Sequence, residues 1–190
     1  MTDTAKQTVH AALAEARAGM VAKLDGLGEY DVRRPFTPTG TNLLGIVKHL
    51  AGCEYGYFGD SFGRPPVPQL PWVADGSVWD NADMWATPEE SREDVLGLYR
   101  RACEHADRTI EECSFDAPAV VPWWEEGRQA TTLRVLLVRV LVDTARHAGQ
   151  ADIIRELIDG RADSSGQGDE QSWASYHARV AAAAEAFRTR

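Results

Sequence analysis

The sequence predicts an all-α protein: a four-helix bundle with a long connection between helices 2 and 3 and an extra C-terminal helix. Three observations support this. Apolar residues recur at helical spacing along four long segments. Prolines and glycines gather between those segments, where they break helices. A chain of 190 residues that is 44% hydrophobic can bury one core. We therefore treat residues 1–190 as a single domain, with a polar, glycine-rich linker at 161–169 (RADSSGQGD) leading to the last helix.

Taken in order, the first helix covers residues 4–24, with Val9, Leu13, Ala16, Met20 and Leu24 on one face. Residues 26–40 carry Pro35 and Pro38 and read as a loop. The second helix opens at Thr41 or Asn42, either of which can cap it, and runs to Phe58. Its inward stripe is Ile46, His49, Leu50, Cys53 and Tyr57. The connection 59–86 holds Pro65, Pro66, Pro68 and Pro71 together with Trp72, Trp79 and Trp85. Connections of this length are commonly functional, and the tryptophans either roof a pocket or simply anchor the loop. The third helix is expected to start at Thr87, with Pro88 at its first position and Glu90 closing a capping box. Val95, Leu98, Tyr99, Ala102, Ala106 and Ile110 mark its buried face. An irregular segment after Cys113 has room for a short strand, and the fourth helix spans 131–158, stopped by Gly160. A last helix over 170–187 presents Trp173, Tyr176, Val180 and Phe187 on one face.

Charge narrows the range of functions. The formal charge is −9 and the pI about 5.0, with no cluster of Lys and Arg. Such a surface disfavours nucleic acid and anionic membrane as partners, since both are held by clustered cations. No apolar run reaches the roughly 18–20 residues of a membrane span, and the N-terminus lacks the apolar core of a secretory signal. Cys53, Cys103 and Cys113 form no CxxC motif and read as reduced thiols, which points to the cytoplasm.

The fourth helix carries the chemistry. Its core seam is Leu136, Val140, Asp143, His147, Gln150 and Ile154, apolar at both ends and polar in the middle. Asp143 and His147 stand one turn apart and can grip one ion. A carboxylate in a bundle core needs compensation, and a divalent cation supplies it while also using an imidazole lone pair. A buried Asp–His ion pair, or a seam rotated so that both residues face water, explains the same pattern. His49 is the natural third ligand; Cys53, one turn later, is either a fourth ligand or a small buried residue. Gln150 points a polar group at the pocket or makes a hydrogen bond within its helix. Arg146 and Arg139 flank the seam, suited to an anionic substrate or to solvated salt bridges. His10, His105 and His177 fall beside the apolar stripes and read as boundary residues.

The segments KHLAGCEYGYFG and TLRVLLVRVLVDTARHAGQADIIRE, with the tract NADMWATPEESREDVLGLYRRA, resemble the DinB/YfiT-like superfamily of metalloenzymes. Within it the chain most resembles the mini-circle subfamily of actinobacteria, and it is similar to the metal-binding domain of thiol-dependent maleylpyruvate isomerase. The resemblance implies a DinB-like bundle and a divalent metal ion held by His49, Asp143 and His147. The implied metal is zinc first, with nickel, iron or manganese as alternatives. Many members have histidine where this chain has Asp143, and the isomerase has glutamate. The isomerase also has an additional C-terminal domain that contributes to its active site, so its reaction is not carried over. Three protein ligands leave coordination positions open, as catalytic sites do. The resemblance thus implies a mycothiol-type thiol S-transferase or isomerase acting on small electrophiles, with a low-molecular-weight thiol as cosubstrate. Trp72, Trp79, Trp123 and Trp124 are the candidate walls of the electrophile site. A metal-dependent hydrolase and a non-catalytic metal-binding, stress-associated protein are the alternatives. A homodimer is implied by the resemblance alone.

Overall fold

The computed structural model describes residues 4–161 and 170–188. The chain divides into two compact units, Met1–Gly160 and Arg161–Arg190. The first unit is the predicted bundle. Its long helices are α1 (Thr4–Ala22), α3 (Leu43–Phe58), α5 (Arg92–Glu112) and α6 (Leu133–Asp159), with α3 packed chiefly on α5, and α1 chiefly on α6. Short helices α2 (Glu29–Arg33) and α4 (Pro71–Ala74) interrupt segments expected to be loops. Single 3₁₀ turns at Asp60–Phe62 and Ser77–Asp80 also order the long connection. In the second unit, α7 (Glu170–Glu185) carries the apolar face expected of it, with Trp173 and Tyr176 in edge contact at 6.1 Å. The linker expected at 161–169 lies outside the described residues from 162 onward.

Helix ends follow local chemistry. Asn42 caps α3, its side chain accepting from Gly45 N at 2.7 Å, and Gly160 ends α6 in the left-handed conformation at φ 74°. The third long helix starts later than predicted. Ser91, not Thr87, is its N-cap, and a capping box joins Ser91 to Asp94. Glu90 does reach back to Thr87 N at 2.8 Å, but the same carboxylate binds Lys48 Nζ at 2.8 Å. That buried ammonium holds Thr87–Glu90 as a turn against α3, and the chain enters α5 only at the next capping signal. The short strand is a hairpin, β1 (Pro118–Val120) antiparallel to β2 (Ala130–Thr132), which leads directly into α6. Leu133 N and Arg134 N, two donors of the first turn of α6, bond to Ala117 O and Phe115 O.

The core divides into two apolar clusters separated by polar residues at one level of the bundle. One cluster includes Met20, Leu24, Leu50, Ala102 and Ile154; the other includes Leu13, Phe58, Ala106, Ile110 and Val140. Between them fall Arg17 on α1, Glu54 on α3 and Asp143 on α6, and Asp107 on α5 joins Arg17 from beside this level. The buried face of α1 carries Arg17, where the apolar pattern placed Ala16. Arg17 makes a bidentate pair with the fully buried Glu54, 2.7 Å on each side, and a third bond to Asp107 at 2.6 Å. His10 adds a 2.8 Å bond to Asp107. Burial opposes the charge on Arg17, but Glu54 outweighs it and pushes the guanidinium pKa up.

Removing one partner of a buried ion pair strands the other charge, whereas removing both does not. Glu54→Ala is therefore expected to cost about 3–5 kcal/mol in urea unfolding, and Arg17→Met/Glu54→Leu to recover most of that loss.

Candidate metal centre

The site forms where α3 and α6 face each other at the polar level. His49 and Cys53 stand one turn apart on α3, and Asp143 and His147 one turn apart on α6. His49 Nε2 lies 3.8 Å from Asp143 Oδ2, and His147 Nε2 lies 3.9 Å from Asp143 Oδ1. The two imidazole centroids are 5.1 Å apart, in an edge arrangement. Cys53 Sγ sits 3.4 Å from His49 Nε2 and 3.6 Å from Asp143 Oδ2. The candidate ligand atoms of His49, Cys53 and Asp143 all lie within 4.8 Å of one another. Two donors on a tetrahedral zinc, each about 2.1 Å from the ion, stand roughly 3.4 Å apart, so these three donors approach the spacing one cation needs; Cys53, and not the expected His147, completes this group.

The imidazoles are oriented from behind. His49 Nδ1 donates to Asp83 Oδ2 at 2.6 Å, and His147 Nδ1 donates to Gln150 Oε1 at 2.8 Å. With both Nδ1 atoms occupied, each ring turns its Nε2 toward Asp143, in the carboxylate–histidine or amide–histidine pairing that supports metal ligands. Burial opposes the charge on His49, but the carboxylates of Asp143 and Asp83 outweigh it and push its pKa up to about 12. Burial lowers that of His147. Asp143 is held below the usual carboxylate range, chiefly by the neighbouring His49. The negative field that holds a proton on His49 is equally a field for a cation.

Asp83 was not legible in the sequence, because it lies in the irregular tract before α5. A dense clamp fixes that tract to α3. Lys48 Nζ donates to Ala82 O at 2.9 Å and Trp85 O at 3.0 Å, and Asn42 Nδ2 to Met84 O at 3.1 Å. Gly45 makes the approach possible, since a Cβ there would fall 1.8 Å from Met84 O.

A cavity of about 290 Å³, open to solvent, adjoins the centre. His49, Cys53 and Asp83 line its metal end, and Trp72, Trp79 and Trp123 supply its walls. Trp72 is buried beneath Lys48, whose Nζ is 4.5 Å from the indole centroid, while Trp79 is largely exposed. The hairpin loop brings in Trp123 over Gly56, where a Cβ would stand 3.0 Å from the indole. Trp124 and Arg146 do not line the cavity. Trp124 instead stacks with Arg139, at 5.2 Å, beside Tyr57, because the hairpin turns neighbouring indoles to different sides. Arg146 lies on the exposed face of α6. His10 and His105 are tied to Asp107 and Arg64 O, each at 2.8 Å, apart from the centre. The three cysteines are unpaired. Among the described residues, no helix is long and apolar enough to cross a membrane.

A mostly helical bundle with a long second connection and His and Asp donors on facing helices makes this a DinB-like protein. The family model described as mycothiol-S-transferase matches residues 8–160, and the chain belongs to that family. No curated protein matches the sequence.

In metal-free protein, the charged form of His49 stabilises the fold below its unfolded pKa of about 6.5, and this contribution is lost as pH climbs toward about 12. NMR titration should find His49 still protonated at pH 8, and Asp83→Asn should bring its titration into the observed range. Gly45→Ala, which touches no ligand, should displace the tract bearing Asp83 and disturb the same His49 resonances.

Proposed function

We propose that the chain is a metal-dependent S-transferase that joins mycothiol to small electrophiles at His49, Asp143 and His147. The observation that carries this is the convergence of two backed imidazoles on one carboxylate beside an open cavity. Zinc suits the donor set best, because imidazole, carboxylate and a neighbouring thiol are its usual ligands. A divalent ion bound there supplies Lewis acidity that favours the thiolate form of a thiol and leaves positions free for it.

The chain's own residues prepare that chemistry. Asp83 and Gln150 hold the protons on Nδ1 of His49 and His147, so both Nε2 lone pairs can face the ion. Asp143 contributes negative charge, with one carboxylate oxygen toward each imidazole. Cys53 stands 3.4 Å from His49 Nε2, placed to back the donor set from α3. In the transfer, the substrate thiol loses its proton and its sulfur lone pair forms the bond to the electrophilic carbon. The electron pair displaced from that carbon leaves with the departing group or stays on the acceptor, which then takes up a proton.

Purified protein is expected to carry about one equivalent of metal by elemental analysis, and His147→Ala to lose most of it. Asp83→Asn should weaken metal affinity by roughly 10–100-fold. Holoprotein with mycothiol and a panel of electrophiles should turn over, and glutathione and bacillithiol should serve poorly. Metal-free protein with an intact Asp143–His147 pair would overturn the assignment, as would absence of thiol-dependent turnover.

A further inference from the structure

The cavity is built along one stripe of α3. His49, Gly52, Cys53, Gly56, Tyr57 and Asp60 recur at alternating steps of three and one, which is one helix face continued into the following 3₁₀ turn, and all six line the cavity. At 1.5 Å per residue, His49 and Asp60 are separated by roughly 16 Å along the axis. The site is therefore elongated, with the donor cluster at one end and a carboxylate at the other. Two glycines one turn apart form its floor, so α3 offers bare backbone between Trp72 on one side and Trp123 on the other. A Cβ on Gly52 would sit 3.7 Å from Trp72 Nε1, and one on Gly56 3.0 Å from Trp123.

Asp60 is the unexplained group in this arrangement. Its side chain makes no hydrogen bond among the described residues. Nearby His105 is engaged elsewhere, its Nε2 bonding to Arg64 O at 2.8 Å, and Arg64 Nη1 binds Glu112 at 2.6 Å. Burial in this apolar surround pushes the Asp60 carboxyl up. A half-buried carboxylate left to face a cavity has acceptor capacity for a bound molecule with hydroxyl donors. Aromatic walls over a glycine floor suit the flat C–H faces of a sugar ring, and a carboxylate at the rim suits its hydroxyls. Asp143 and His147 do not line the cavity, so its inner end is closed by His49, Cys53 and Asp83.

Resting on the S-transferase function proposed above, we infer that this slot along α3 holds the polyhydroxylated part of the thiol, with Asp60 accepting its hydroxyls and the sulfur at the His49 end. Asp60 then determines which thiol is used.

The test uses zinc-loaded protein and intrinsic tryptophan fluorescence to titrate mycothiol and N-acetylcysteine, which shares the sulfur end but lacks the sugar and inositol. Wild-type protein should bind mycothiol at least about tenfold more tightly. Asp60→Leu should remove about tenfold or more of the mycothiol affinity, as expected for hydrogen bonds to a charged acceptor, and leave N-acetylcysteine unchanged. Gly56→Ala, which raises the floor beneath Trp123, should act in the same selective way. Equal binding of the two thiols by wild-type protein overturns the inference, as does an Asp60→Leu variant that keeps the full mycothiol preference. If neither thiol binds the holoprotein, the S-transferase function falls as well.

Discussion

The rotation of α3 about its own axis is the constraint on which the rest of this bundle depends, and the Arg17–Glu54 pair sets it. Adjacent residues on a helix point about 100° apart. With Glu54 drawn into the bundle by a bidentate guanidinium, Cys53 and His49 are turned to the side that meets α6. Rotating α3 by one residue would strand a buried arginine and remove both α3 donors from the candidate centre. The ion pair need not add much net stability to serve this purpose, because its geometric demand is strict.

A second fixed contact faces the other way. Asn42, Gly45 and Lys48 lie along the N-terminal half of α3 and hold the tract 81–90 by its backbone carbonyls and by Glu90. The ammonium of Lys48 is almost fully buried, and it is tolerated because three oxygen acceptors and the Trp72 ring surround it. This clamp delivers Asp83 to the back of His49. The metal end of the site is thus oriented by a loop, yet a loop pinned closely to a helix, which suits a centre whose ligands must hold their direction.

The two sides of α3 also explain the shape of the candidate site. Glycine at 52 and 56 would weaken an isolated helix, but here the surrounding packing carries the helix and the missing side chains open the slot. The hairpin before α6 supplies Trp123, and the long connection supplies Trp72 and Trp79. Helices therefore provide the candidate ligands, and the two irregular segments provide the walls. Membership in the mycothiol-S-transferase family agrees with this division, because a thiol with a large polar body needs both a sulfur site and room beside it.

By itself the sequence determined the four long helices, the residues on α3 and α6 that could bind a metal, and the tryptophan-rich connection. These are written in local pattern and composition: Asp143 and His147 interrupt an apolar seam one turn apart, prolines mark the connection, and Gly160 marks a helix end whatever surrounds it. Tertiary structure decided what periodicity cannot express. The start of α5 moved to Ser91 because Glu90 is committed to Lys48, forty-two residues away in the chain. Arg17 is buried because Glu54 lies opposite it on another helix, and a single-helix pattern counts an arginine as surface. Asp83 orients His49 from an irregular tract with no pattern of its own. Trp123 and Trp124 are neighbours in the chain, yet only the first lines the cavity. The four-helix, all-α fold was legible because its signals are short-range, whereas the groups that orient the imidazoles and the walls of the site depend on contacts between distant segments.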